Sequence, residues 1–259
     1  MGLSDTRRRL VGRLSTRKTR EREGLVLVEG VRAVAEALDA DVDVRFALRS
    51  PDLMSTGAGS TLSERLVSLD CALEDVTERE MAGVADTQTS QGVLLVCREP
   101  SLTLAELEAK DGSSLLLLDG VQDPGNVGTM IRTARAFALD GVVVLDGSAD
   151  PWSPKTVRSS AGACFGVPVV TARWREAEAW VTSSGMALLA GDPRGADVSK
   201  VVTRAMWGLV IGSEGAGVRP EILESADMVA VPMAGGMDSL NAAMAGAILL
   251  YALTSADGP

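Results

Sequence analysis

The sequence predicts an α/β protein in two parts, a small N-terminal unit and a larger C-terminal unit built on a parallel sheet. Three observations lead there. From Gly24 onward, short apolar runs bounded by turn residues alternate with segments of helical period. The later runs, "LLLLD" and "GVVVLD", are continuously apolar, as strands covered on both faces are. Between the two series lies a polar stretch, "EPSLTLAELEAKDGSS", with Pro100 near its start and Gly112 near its end. The 259 residues suffice for two ordinary domains. The expected division is 1–99 for a basic arm and the small unit, 100–113 for a linker and 114–259 for the large one.

Taken in order, "GLVLVEG" is a strand and Glu29 to Leu38 an amphipathic helix. "VDVRFALRS" is a second strand, and "STLSERLVSL" a helix. Thr77-Glu78-Arg79-Glu80 has the capping-box pattern of a short helix, and "GVLLVCRE" returns as a strand. The linker has room for one short helix near Leu104. Beyond it, "LLLLD", "GVVVLD", "VPVV", "MALLAG", "GLVIGSEGAG" and "MVAVPMAGG" give six strands or strand-loop units. The helices between them are "VGTMIRTARAFAL", a segment opening at Pro154, Trp174–Val181 and Pro220–Glu224, with Ala242–Leu250 last.

Composition narrows the chemistry. There is no histidine, which removes the usual general base and the usual transition-metal ligand. Cys71, Cys97 and Cys164 are odd in number and far apart, which argues against a disulfide framework and a zinc site and suggests a reducing cytoplasm. No apolar run reaches the roughly 18 residues of a membrane span, and Met1–Leu10 lacks the apolar core of a secretory signal. Net charge is −10, yet Met1–Glu23 holds eight basic against three acidic residues, +5, leaving −15 for the rest. A basic arm on an acidic body reads either as a phosphate-binding segment or as a solvated tail.

Three strands run into glycine-rich polar loops: "DGVQDPGNVGT", "GSEGAG" and "PMAGGMDSLN". In a parallel α/β sheet, ligands bind beyond the carboxyl ends of the strands, so three such loops in one domain point to a site more strongly than any one, glycine loops being common turns. None is a dinucleotide fingerprint or a P-loop, and without histidine no Ser-His pair exists. The polar candidates are Asn126, Glu214, Ser239 and Asn241 in these loops, with Arg132 in the helix that follows the first. Taken singly, Asn126, Ser239 and Asn241 also read as helix caps, Glu214 as a turn cap and Arg132 as a solvated charge.

The segments "DPGNVGTMIRTARAF", "GLVIGSEGAGV" and "VPMAGGMDSLNAAMAGAILLY" resemble, in order and spacing, the three motifs of the SpoU/TrmH class of SPOUT RNA methyltransferases. Those motifs are N-x-G-x-x-x-R-T-A, G-S-E-G-x-G and P-x-x-G-x-x-x-S-L-N, and the likeness covers Leu115 to Tyr251. "PKTVRSSAGACFGVPV" resembles the segment between the first two. "GLVLVEGVRAVAEAL" and "TQTSQGVLLV" resemble the L30e-like RNA-binding domain that often precedes this catalytic domain. Departures are small: Val218 stands where Leu is commoner, Ala242-Ala243-Met244 where Val-Ser-Val is common, and Ala252 where Glu often follows the Tyr.

The resemblance implies S-adenosylmethionine bound among the last strand-end loops, a ribose 2′-OH of RNA as methyl acceptor, a deep trefoil knot in the C-terminal domain and a homodimer paired through helices beside the cofactor. It implies no metal and no membrane. Ala190, Gly191, Leu209, Ile211, Gly212, Val231, Met233, Ser239 and Leu240 would hold the cofactor. Arg132 would stabilise the developing alkoxide, with Asn126, Glu214, Ser239 and Asn241 arranged around it. Arg7, Arg8, Arg9, Arg17, Lys18 and Arg20 of the arm, with Arg132 and Arg158, would meet RNA phosphates. An L30e-like module favours large-subunit ribosomal RNA, because proteins read RNA sequence mainly in single-stranded loops. A transfer RNA substrate and a non-catalytic RNA-binding or ribosome assembly factor are the alternatives.

Overall fold

A computed structural model describes residues 2–69, 71–87, 89–234 and 240–255. In chain order the first elements are α1 (Asp5–Leu14), α2 (Arg17–Glu23), β1 (Leu25–Glu29), α3 (Val31–Asp39), β2 (Val44–Arg49), α4 (Gly57–Ser68), β3 (Ala72–Asp75), α5 (Glu78–Ala82) and β4 (Val93–Arg98). Then come β5 (Ser114–Asp119), α6 (Pro124–Ala136), β6 (Gly141–Leu145), α7 (Pro154–Ser159), β7 (Val169–Ala172) and α8 (Trp174–Ser184). Last are β8 (Ala187–Asp197), β9 (Trp207–Gly212), α9 (Pro220–Leu223), β10 (Asp227–Ala230) and α10 (Ala242–Ser255). The chain divides into two compact units. One comprises Met1–Pro100 with Trp152–Gly166; the other comprises Ser101–Pro151 and Val167–Pro259. Neither is a single stretch of chain.

The first unit is a four-stranded sheet of order β1-β4-β2-β3, with only the β2/β3 pair parallel. Its core joins Leu25, Leu27, Phe46, Leu48, Leu94 and Val96 with Leu3, Val11 and Leu14 from the chain's start. The basic arm is therefore two packed helices, since apolar positions 11 and 14, one helical turn apart, seat α1 on the sheet. The capping box forms as the sequence indicates, with the Thr77 side chain accepting from the Glu80 N–H and the Glu80 carboxylate accepting from the Thr77 N–H at 2.9 Å. β3 is an addition: "ALED" is too short and too polar to signal a strand, and it forms on the edge beside β2. α7 packs within this unit, and a Cβ on Gly162 would lie 2.8 Å from the Ala33 backbone. Burial pushes the Cys97 thiol up to about 12.

The second unit is a six-stranded, all-parallel sheet of order β10-β8-β9-β5-β6-β7. Leu115–Leu118 and Val142–Leu145 are nearly inaccessible, which accounts for their unbroken apolar runs. The stretch near Leu104 forms turns in place of the expected helix, with Leu107 buried against the core of this unit. α10 lies on α6, where Gly246 leaves room for Met130: a Cβ there would stand 3.3 Å from the Met130 sulfur. The trefoil knot is expected of the C-terminal part, of which residues 235–239 lie outside the described residues. Among the described residues no helix is long and apolar enough to cross a membrane.

Candidate active site

The loop after β9 is closed tightly on itself. Ser213 N–H donates to the Gly217 carbonyl at 3.1 Å, Gly217 N–H donates back at 3.0 Å, and the Ser213 hydroxyl accepts from Ala216 N–H at 3.1 Å. A Cβ on Gly212 would lie 2.1 Å from the Gly217 carbonyl carbon, so only glycine permits this crossing. The result presents the exposed Glu214 carboxylate at the loop's tip.

Glu214 accepts a hydrogen bond from the Asn126 Nδ2, in the first turn of α6. Asn241 Nδ2 donates to the Asn126 Oδ1 at 3.3 Å. Asn241 Oδ1 in turn accepts from the Ala243 and Met244 N–H groups at 3.0 and 3.2 Å, capping α10. A carboxylate only accepts, so Glu214 fixes which end of the Asn126 amide faces it and leaves the oxygen for Asn241. Three segments far apart in sequence are thus joined through one amide. Asp123, and not Asn126, caps α6, accepting from Gly125 N–H at 3.2 Å. Arg132 stands outside this set, exposed on α6 with no hydrogen bond or ion pair among the described residues. Ser239 lies outside the described residues.

Beside Glu214 opens a cavity of about 470 Å3. Gly191, Ile211, Gly212, Val231, Met233 and Leu240 line it, as the sequence reading expects. Ala190 and Leu209 do not; both are fully buried in β8 and β9. The sequence reading missed Asp192 and Arg194, which follow Gly191 in the wall. Arg194 grips both Asp192 oxygens at 2.8 Å, and that guanidinium holds the Asp192 carboxyl below its ordinary range. The one advance signal was an acid and a base two residues apart beyond an apolar strand.

A second polar cluster supports the loop. Asp119 at the end of β5 is 4% exposed and accepts from the Arg219 backbone N–H at 2.8 Å and Nε at 2.6 Å. Arg219 also donates to the Asp146 carbonyl at 3.0 Å. The ends of β5 and β6 are so tied to the segment just after Gly217.

The RNA-contact candidates fare unequally. Arg20 is 2% exposed, and its Nη1 donates to the Leu14 and Ser15 carbonyls at 2.8 and 3.0 Å, so it is a structural residue and not a phosphate ligand. Arg7 pairs with Glu74 and lies 4.9 Å over the Phe46 ring, Arg8 is 3.9 Å from Glu80, and Arg17 pairs with Glu21. Arg158 pairs with Asp86 at 2.8 Å. Arg9 and Lys18 are exposed.

A parallel six-stranded sheet whose carboxyl-end loops join an Asn, a Glu and a second Asn beside such a cavity defines a SPOUT-class methyltransferase domain. The chain belongs to the SpoU rRNA methylase family, whose model matches residues 113–251, and an MRM3-like substrate binding domain matches residues 8–95. It is 35% identical over 248 residues to the 23S rRNA (guanosine(2553)-2'-O)-methyltransferase RlmP of Bacillus subtilis (strain 168), covering 93% of each chain. It is 31% identical to a 23S rRNA (uridine(2479)-2'-O)-methyltransferase of Streptomyces viridochromogenes, covering 92% of this chain and 85% of that one. A crystal structure of the SpoU methyltransferase AviRb from Streptomyces viridochromogenes in complex with AdoMet superposes with a TM-score of 0.86 to 0.87 across its two forms, the complex at 0.87, 27% identity and 97% coverage of both chains.

Proposed function

We propose that this chain transfers a methyl group from S-adenosylmethionine to a ribose 2′-OH of large-subunit ribosomal RNA, as a cytoplasmic homodimer. The observation that carries the reading is the Asn126–Glu214–Asn241 set at the edge of the cavity, with Glu214 belonging to both.

The cavity fits the cofactor. Its volume of about 470 Å3 falls inside the range of small-molecule sites, roughly 300–1,000 Å3. Its wall is apolar at Ile211, Val231, Met233, Leu240 and Leu249, and charged at Asp192 and Arg194. That combination suits a flat adenosine with a zwitterionic tail. When bound, the cofactor supplies an activated methyl group on a sulfonium.

The chain's own residues do the remainder. Asn126 keeps one N–H and one oxygen lone pair free after bonding Glu214 and Asn241, and these orient the ribose hydroxyl. Arg132 supplies the positive charge of its guanidinium to stabilise the developing alkoxide. Pairing of two chains is supported by Met244, Ile248 and Tyr251, exposed on one face of α10 at 57%, 38% and 61%.

The test is transfer of labelled methyl to purified 23S rRNA and, in parallel, tRNA, with Arg132→Ala alongside. Label in 23S rRNA alone, lost in the variant, is the expected result. Label in tRNA alone would overturn the substrate, and an undiminished Arg132→Ala would overturn its role.

A further inference from the structure

The first unit holds a second, smaller cavity of about 180 Å3, lined by Glu29, Arg32, Thr87, Thr89, Gln91 and Arg158 among others. Building on the RNA substrate proposed above, we propose that it receives one unstacked nucleotide of the RNA, whose base presents an exocyclic amino group.

The size comes first. The cavity is well below the roughly 300 Å3 at which small-molecule sites begin, so it suits one base and not a second cofactor.

The chemistry of the wall is mixed in a way a phosphate site is not. Glu29 is 7% exposed, and its carboxylate accepts from the Asp86 N–H at 2.9 Å and from the Thr87 hydroxyl. A carboxylate has about four acceptor positions, and these donors use two. A buried carboxylate repels phosphate but accepts from the amino group of guanine, cytosine or adenine. Gln91 gives its carbonyl oxygen to the Val31 N–H at 2.8 Å, which leaves its amide N–H groups as donors for a base edge. Arg32 is exposed and has no hydrogen bond or ion pair among the described residues, so its guanidinium is available for the phosphate of the same nucleotide.

Ala161 lines the same cavity at φ +52, the left-handed residue that closes α7, with the Gly162 N–H donating to the Val157 carbonyl at 3.1 Å. The unit itself matches a substrate binding domain, and RNA-binding proteins read splayed-out bases of loops in pockets of this kind.

The experiment measures binding of the full chain to 23S rRNA across a salt series, with Glu29→Gln, Gln91→Glu and Arg32→Gln. Gln91→Glu keeps the acceptor for Val31 and replaces the donors with a negative charge, so it guards against a folding defect in Glu29→Gln. The expected result is a roughly tenfold rise in Kd for the first two with an unchanged salt slope. Arg32→Gln should weaken binding and lower the slope by about 0.7. Affinities within about twofold of wild type in Gln91→Glu and Arg32→Gln, with melting temperatures preserved, would overturn the proposal. A wild-type protein that binds rRNA through these residues but transfers no methyl group would leave the cavity standing and remove the proposed reaction instead.

Discussion

The strand-end loops of the second unit and the basic arm of the first both display polar groups, but they use them differently. In the loops, Asn126, Glu214 and Asn241 are held by one another and by the first turn of α10. Their arrangement leaves defined donors and acceptors pointing outward. In the arm, Arg20 is buried on carbonyls and Arg7 covers Phe46, while Arg8 and Arg17 stay exposed near carboxylates. The contrast teaches that a charge sum overstates what is available to a ligand. Hydrogen-bond satisfaction, counted residue by residue, locates the site better.

The sharpest way to break this comparison is Asn126→Ala. Asn126 joins Glu214 to Asn241 but does not line the cavity, so its loss should misplace the ribose and not the cofactor. We expect kcat to fall on the order of a hundredfold, with cofactor Kd within about twofold. Isothermal titration beside single-turnover transfer separates the two, and a parallel loss of cofactor binding would mean that the amide only props the pocket. Next in size is Met244→Asp, which places a charge in the apolar stripe of α10. The proposed pairing predicts a dimer for wild type and monomers for this variant in sedimentation; a dimer in both would move the interface elsewhere.

A smaller effect sharpens the other side. Deleting the arm would strip Leu3, Val11 and Leu14 from the core, so point variants are the cleaner probe. Arg9→Glu with Lys18→Glu should weaken RNA binding about tenfold and flatten its salt dependence, because both side chains are exposed. Arg20→Ala should leave the salt slope alone and cost about 2 kcal/mol of stability, seen as a lower melting temperature. If Arg20→Ala changed the slope as much as the surface pair, the division between structural and available charge would fail.

What the sequence disclosed follows the same line. The six strands were legible because buried parallel strands must be apolar throughout, and the glycine loops because close backbone crossings, such as Gly212 over Gly217, admit nothing else. Which donor Glu214 holds was left open in the sequence, between Asn126 and a group beside the cofactor, because nothing local fixes where the loop tip points; in the structure it accepts from Asn126. The packing of α1 and α2 was hidden because only Leu3, Val11 and Leu14 mark it within a run of charge. Asp192 and Arg194 were hidden too: an ion pair two residues apart is common on surfaces, and only the cavity gives this one a place. Arg20 was misread because nothing in "RKTRERE" distinguishes the buried arginine from its exposed neighbours.

The smallest expected effect tests whether the support beneath Glu214 is electrostatic. The Asp146 carboxyl lies below its ordinary 3.8, chiefly because the Trp174 N–H donates to it at 2.9 Å; the charge of Arg219 adds to this, and burial opposes it. A lowered folded-state value means that the unfolded chain takes up the proton first as pH falls. The stability so gained is complete above the unfolded value and is lost as pH drops from about 4 through the folded one. Asp146→Asn cannot titrate there. The melting temperature of wild type should therefore exceed that of Asp146→Asn by a modest margin at pH 7, and the margin should shrink below about pH 4. Asp146 is half exposed, so solvent screening keeps the margin small. A margin that stays constant down to pH 3 would show that the protonated carboxyl serves Trp174 and Arg219 as well as the carboxylate does, so that the charge of Asp146 adds nothing. The tie to Arg219, and with it the loop carrying Glu214, would then rest on Asp119, whose carboxylate takes both the Arg219 backbone N–H and its guanidinium.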